Sequence, residues 1–430
     1  MRILLFTGKG GVGKSTVAAG TAALAAASGM RTLVMSTDAA HSLADAYDAA
    51  GLGLTIGAEP TEVAPQLFVE QIDAQLRFEQ SWADIQRYLL SVLDVIGVDP
   101  VAAEELTVIP GAEEVFALLE LRQRALSGEW DVIVVDCAPT AETLRLLALP
   151  EALGWYMQRV LPLQRRVVKA LKPVLTRTAG VPMPGDTVFD AVLRLHRELH
   201  DVRELLSGPE ASVRLVLTPE RVVLAEARRS WTTLSLYGYR VDGVVANRIF
   251  PAEGADAWRA GWVAAQDAVL AEVGASFAGL PVWRSVYRTQ EPVGVAGLRR
   301  LAEEVYAGAD PLAPPVGEGP FRISRGRTAT VLRLALPGVD DWLGKDQVQL
   351  GRNGDELVVT LGSYRRLLTL PAGLARLRVA GARVEAGELQ VRFLDQRDVG
   401  HTARRPQRDD GNRDGEDMGE DMGEDMEERE

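Results

Sequence analysis

One cysteine, Cys137, occurs in 430 residues. A lone thiol forms no internal disulfide and supplies no thiolate pair for a metal, so neither cross-links nor cysteine-zinc clusters hold this fold. No apolar run approaches the roughly 18 to 20 residues that a membrane-spanning helix needs, which argues against direct membrane insertion. The first residues lead straight into a strand pattern without the layout of a secretory leader, so a cytoplasmic protein is expected. Positive charge is also in short supply, with a formal net charge of −13 at pH 7. Residues Asp409 to Glu430 hold 12 acidic and 2 basic side chains, a net of −10 that leaves only −3 for the rest. Nucleic acid is therefore not an expected partner, because its recognition calls for a basic face.

What is present falls into zones. From residue 1 to about 307, β-branched runs such as "RILLFT", "RTLVMS", "LFVEQID", "WDVIVVDC", "VRLVLT" and "YRVDGVVAN" alternate with helix-length segments. That alternation predicts an α/β fold, a parallel sheet covered by helices on both faces. Residues 73–128 and 150–208 are too long for simple crossovers and read as helical insertions. The segment "GADPLAPPVGEGP", 308–320, reads as a linker because its Pro and Gly have little to bury. Beyond it, short alternating strands such as "TATVLRLALPG", "DELVVTLGS" and "ELQVRFL" predict a small all-β sandwich over 321–394. Residues 395–430 turn polar and end in three GEDM copies, a composition expected to stay disordered.

The most specific motif is "FTGKGGVGKST", residues 6–16. Gly8, Gly13, Lys14 and Ser15 fit G-x-x-x-x-G-K-[ST] between a strand and a helix pattern, the context a phosphate-binding loop requires. In that reading Gly8, Lys9, Gly10, Gly11, Val12, Gly13, Lys14, Ser15 and Thr16 surround ATP, backbone N–H groups close on phosphate oxygens, Lys14 reaches the β and γ phosphates, and the Ser15 hydroxyl ligates Mg²⁺. Lys9 is a second lysine, and a cation at the loop's start is placed to stabilise a transferring phosphoryl group across a dimer interface. The pattern K-G-G-x-G-K-[ST] resembles the deviant phosphate-loop ATPases that include ParA and MinD, nitrogenase iron proteins, and the ArsA and tail-anchored-protein-targeting ATPases.

Three further stretches are similar to the ArsA and targeting branch. "STDAAHSLADAY", 36–47, resembles its first switch, which implies that Asp38 orients the attacking water while His41 and Ser42 respond to the γ-phosphate; Ala39 stands where that branch has proline. "WDVIVVDCAPTAETLRLLALP", 130–150, is similar to its second switch and implies that Asp136 supports Mg²⁺ through water and that Pro139 and Thr140 begin the switch, with Cys137, Ala141 and Glu142 departing from the usual pattern. "VIPGAEEVFALLEL" matches a P-G-x-E-E segment through Glu113 and Glu114, which are equally well read as acids at a helix start. "VANRIF" and "GLPVWRSVYRTQEPVGVAGLRRLAEE" resemble the adenine side, implying base contacts from Asn247 and Pro281. Nitrogenase iron protein is excluded, since one cysteine cannot hold its cluster.

The resemblance implies a Mg²⁺-dependent ATPase working as a nucleotide-switched homodimer. Its members that respond to arsenite or antimonite bind the metalloid through cysteines, and its eukaryotic targeting factors hold interfacial zinc through C-x-x-C. Neither ligand set exists here, which favours a hydrophobic protein client or membrane-protein partner over an arsenite or antimonite efflux pump. Apolar residues between 153 and 200, among them Trp155, Met157 and Met183, suit a client groove or equally ordinary helix packing. Residues 321–394 resemble the α-crystallin-like domain of small heat-shock proteins, through "GDELVVTLGSYRRLLTLP" and "AGARVEAGELQVRF". That implies protein contact, and leaves a client-holding chaperone with slow ATPase as an alternative.

Overall fold

The computed structural model describes residues 1–37, 42–71, 112–137, 186–315, 317–327 and 329–395. Strands β1 (Arg2–Thr7), β2 (Thr32–Ser36), β3 (Thr61–Ala64), β4 (Leu67–Gln71), β5 (Val132–Asp136), β6 (Ala211–Leu217), β7 (Val241–Ile249) and β8 (Val282–Val286) form one sheet in the order β3-β4-β2-β5-β1-β6-β7-β8. Every pairing is parallel except β3 with β4, an antiparallel edge. The central strands read as unbroken apolar runs because both sheet faces are covered, and β1, β2, β5 and β6 are buried throughout. The short, half-exposed β3 lacked a pattern that sequence reading registers, and β8 was marked only through the adenine-side resemblance.

Helices α1 (Lys14–Ala27), α2 (Ser42–Ala46), α3 (Ala112–Leu126), α4 (Asp186–Ser207), α5 (Arg221–Tyr237), α6 (Ala257–Ser276) and α7 (Gly294–Tyr306) accompany the sheet. Alanine-rich α1 lies so close to α7 that a Cβ on Gly20 would press into the Leu298 carbonyl. The described parts of the expected insertions are α3 and α4, joined by Arg122 and Asp201 at 2.6 Å. The expected apolar client residues 153–183 and the acidic segment after 395 lie outside the described residues. No helix among the described residues is long and apolar enough to cross a membrane.

At the edge where the strands begin, Arg214 of β6 is buried yet fully engaged. It meets Asp242 at 2.8 Å, donates to the Tyr306 hydroxyl at 2.9 Å and to the Pro311 carbonyl at 2.9 Å. Arg2 shares Asp242 at 3.0 Å and donates to the Leu312 carbonyl at 3.2 Å. The Pro- and Gly-rich segment after α7 is thus strapped across the sheet by two guanidiniums rather than hanging as a tether.

Two antiparallel sheets follow, β14-β15-β10-β9 and β11-β12-β13, built from β9 (Phe321–Arg325), β10 (Thr330–Ala335), β11 (Val348–Asn353), β12 (Glu356–Leu361), β13 (Tyr364–Thr369), β14 (Arg378–Glu385) and β15 (Glu388–Leu394). Their inner faces close on Leu332, Leu334, Leu357, Val359, Val391 and Phe393, and Leu236 of α5 joins this second core. The Thr232 hydroxyl donates to the Pro337 carbonyl at 2.5 Å, and Arg366 donates to the Leu236 carbonyl. One helix therefore belongs to both units. Strands β9 and β11, rich in polar residues, escaped sequence reading.

Near the β4 edge one cation serves three carboxylates: Arg124 meets Glu70 at 2.9 Å, Glu120 at 3.0 Å and Glu59 at 3.1 Å. Burial pushes the Glu70 carboxyl up to about 7, against the opposing pull of Arg124. Between about pH 4.5 and 7 the folded chain holds this proton while the unfolded chain has released it, so the contribution to stability falls as pH rises through that window. Wild type is expected to lose up to about 3 kcal/mol through this group between pH 5 and 8. Glu70→Gln removes that loss, which urea denaturation at the two pH values measures; an unchanged pH dependence in the variant refutes the assignment.

Candidate functional site

Parallel strands deliver their C-terminal ends to one edge. Register sets Asp136 beside Phe6 and Ser36, so the loop after β1, the Asp136 carboxylate and the chain after β2 emerge side by side. The connection after β1 runs toward β2 on one side and that after neighbouring β6 runs toward β7 on the other, the place where open α/β sheets form a crevice.

The loop between β1 and α1 is held by close approach. A Cβ on Gly8 would overlap the Val216 carbonyl of β6, and one on Gly13, whose φ is +92°, would overlap the Asn247 side-chain amide. That amide donates to the Val12 carbonyl at 2.8 Å. The loop is thereby clamped against β6 and β7 while Gly10 and Gly11 sit exposed on its crest. Helix α1 begins at Lys14 with no side-chain cap and no acidic residue in its first turn. Its opening N–H groups and partial positive charge suit an anion, and the loop glycines leave backbone within reach of one.

Lys14 is buried beneath this loop, and half-buried Lys9 has no carboxylate partner among the described residues. The Ser15 and Ser42 hydroxyls lie 3.1 Å apart, bringing the first turn of α1 to the first turn of α2. Asp136 is fully buried. The Thr37 N–H donates to the Asp136 carbonyl at 3.0 Å, which anchors the chain just before Asp38. Asp38, His41, Pro139 and Thr140 themselves lie outside the described residues, and Glu113 and Glu114 fall in the first turn of α3. Cys137 is buried, and burial together with the neighbouring Asp136 charge pushes its thiol far above the usual range.

Beside the loop opens a cavity of about 430 Å³, whose walls include Thr16, Asn247, Ser285, Tyr287 and Pro292. The Ser285 hydroxyl is buried with no hydrogen-bond partner among the described residues. Pro281 does not line this cavity. It precedes β8, where its carbonyl accepts from the Val244 N–H at 2.9 Å, and it lines a separate cleft with Arg214 and Asp242. The start and end of a parallel strand lie at opposite edges of the sheet, so the proline that reaches the cavity is Pro292, after β8. Ser285, Tyr287 and Pro292 fall within the stretch that resembles the adenine side but carry no motif of their own; the E-P-V-G punctuation after β8 was the available signal.

An aromatic surface borders the cavity. Tyr287 stacks on Phe250 at 5.6 Å between ring centres, and Phe250 lies 6.4 Å from Trp258 and 6.3 Å from Trp262. The two tryptophans on α6 are 68% and 45% exposed, more than single chains usually leave to water.

Comparison with known proteins agrees with this geometry. Residues 1–307 match the family model described as anion-transporting ATPase, and residues 327–393 match an HSP20-like domain found in ArsA. A protein of Chlorobaculum tepidum named as an arsenical pump-driving ATPase is 34% identical over 94% of this chain and 99% of its own length. A similarly named protein of Aquifex aeolicus is 31% identical over 91% of this chain and 99% of its own. The ATPase GET3B of Arabidopsis thaliana is 31% identical over 58% of this chain and 64% of its own. With its phosphate loop clamped at the carboxyl edge of a parallel sheet, the chain belongs to the ArsA family of anion-transporting ATPases, ATP-hydrolysing enzymes, here followed by an HSP20-like domain.

Proposed function

We propose that this ATPase is a cytoplasmic, Mg²⁺-dependent, nucleotide-switched homodimer that couples ATP hydrolysis to the handling or targeting of a protein client. The observation that carries the client is the chemistry of the only thiol: Cys137 is buried in the sheet, and a single such sulfur does not provide the soft ligand set that a metalloid prefers. The HSP20-like unit packed on α5 supports the same reading by adding a surface of a protein-binding type.

In this reading the loop 8–16 and Lys14 hold the phosphates, and Asn247 and Pro292 flank the base. The donors near the phosphates, Ser15, Ser42 and, through water, Asp136, are hard oxygens that suit Mg²⁺. No group of three His, Cys, Asp or Glu forms a closed cage among the described residues, in keeping with an ion shared between few side chains and phosphate. Mg²⁺, when bound, neutralises charge developing on the transferring phosphoryl group. Asp38 orients the attacking water, and Lys9 reaches the nucleotide of the partner subunit. The exposed Trp258 and Trp262 supply the apolar contact on which two copies close.

Lys14→Ala is expected to lower ATP turnover by on the order of 10²-fold or more. Gly13→Ala, which cannot clear Asn247, weakens nucleotide binding measured by titration with a fluorescent ATP analogue. Normal turnover in Lys14→Ala overturns the site.

Lys9→Ala is expected to slow turnover yet leave each subunit's nucleotide affinity intact, while Trp258→Lys prevents ATP-driven dimerisation in sedimentation velocity. Both variants behaving as wild type would remove the homodimer from the mechanism.

The names of the relatives favour a second reading, an ATPase subunit that drives metalloid efflux. Turnover with and without antimonite separates the two, with Asp38→Asn as the blank. Independence from antimonite is expected, and stimulation restores the pump.

A further inference from the structure

The outer face of the four-stranded sheet in the sandwich is an arginine surface. Register places Arg322, Arg333, Gln390 and Arg383 in one row across four strands, and Arg392 stands in the next row between Val331 and Gly381. Arg378 lies on the same face, opposite Leu394. Glu388 is shared by Arg322 and Arg333, and Glu385 pairs with Arg383. Exposed Arg378 and Arg392 have no carboxylate partner among the described residues. Glu318 also lies 3.5 Å from Arg322, so five guanidiniums face three carboxylates, an arrangement that like-charge repulsion between adjacent strands opposes unless an anion covers it.

Charge is sorted along the whole chain. Residues 321–394 hold 12 basic and 7 acidic side chains, whereas residues 1–320 hold 29 basic and 39 acidic. Residues 409–430, with 12 acidic and 2 basic, are therefore repelled by the ATPase unit and attracted to the sandwich. The described chain ends at Asp395, directly after β15 on this same sheet. Fourteen residues reach up to about 46 Å, far more than the roughly 14 Å between the outer strands of a four-stranded sheet. Glu-Asp pairs recur every fourth residue at Glu416, Glu420 and Glu424, about 13 Å apart when extended, which matches the width of the arginine rows.

We infer that this arginine face is a docking surface for acidic polypeptide, and that its resident occupant is the segment 409–430 of the same chain. Each exposed pair contributes little by itself, but the covalent link keeps the segment at millimolar effective concentration, and several pairs form together. An acidic client segment reaches the face only by displacing it, and salt loosens the contact because exposed charges are screened within about 10 Å at 0.1 M.

Phenylglyoxal labelling of the full-length protein, read by mass spectrometry, tests this. Wild type is compared with a full-length variant in which the acidic residues of 416–428 are replaced by Gln and Asn, and exposed Arg365 on β13 serves as internal reference. Arg378, Arg383 and Arg392 are expected to react three- to tenfold more slowly in wild type at low salt. The difference should vanish in 0.5 M salt and stay constant on hundredfold dilution, and a synthetic peptide of residues 409–430 should restore protection to the variant. Equal rates in the two proteins mean that the acidic segment meets only solvent or the intervening arginines 397–408, and overturn the inference. Protection that grows with protein concentration assigns the face to a second copy and overturns the intramolecular occupant.

Discussion

Arg214 is the charge on which the architecture turns. Its guanidinium lies among Phe6, Trp283 and Tyr306, with ring centres 5.6, 4.5 and 5.3 Å away, in surroundings that tolerate a charge only when it is fully paired. Asp242 supplies the countercharge from β7, Tyr306 a hydroxyl from α7, and Pro311 a carbonyl from the chain beyond. Removing the carboxylate of such a pair typically costs about 3 to 5 kcal/mol, and Asp242 is the countercharge of both Arg214 and Arg2. The same Tyr306 hydroxyl lies 2.6 Å from Thr21 Oγ1 on α1. A hydrogen-bonded path therefore runs from the base of the sheet to the helix that opens the phosphate site.

Opposite that anchored edge, the sheet does its chemistry with empty space. Close approach replaces side-chain contact at Gly8 and Gly13, so the loop's backbone, and not its side chains, sets the shape presented to a phosphate. The strand order puts Asp136 next to that loop, and the Ser15–Ser42 contact brings the start of α2 to it.

Helix α5 couples the two units. It covers the parallel sheet with one side and places Leu236 in the sandwich core with another, while Arg228 lies 5.2 Å from the Trp342 ring. Because the helix is shared, the sandwich is positioned by packing and not by the length of the connecting segment. Its four-stranded sheet keeps the arginine rows on the side away from that core.

Local pattern was enough to identify much of this protein. The glycines and lysines of 8–16, the apolar run into Asp136 and the alternation of strands and helices are patterns of adjacent residues, and each is legible within a short stretch. The second unit was visible through its change of period from 3.6 to 2. Tertiary structure alone decided which end of β8 meets the cavity, and hence that Pro292 and not Pro281 lies there, because strand direction is a property of the sheet. It likewise decided that Arg214 is an interior ion pair, that Leu236 serves two cores, and that arginines scattered from 322 to 392 form one surface. Each of these depends on partners tens to hundreds of residues apart, brought together by burial and register, and neither quantity is written in any short stretch of sequence.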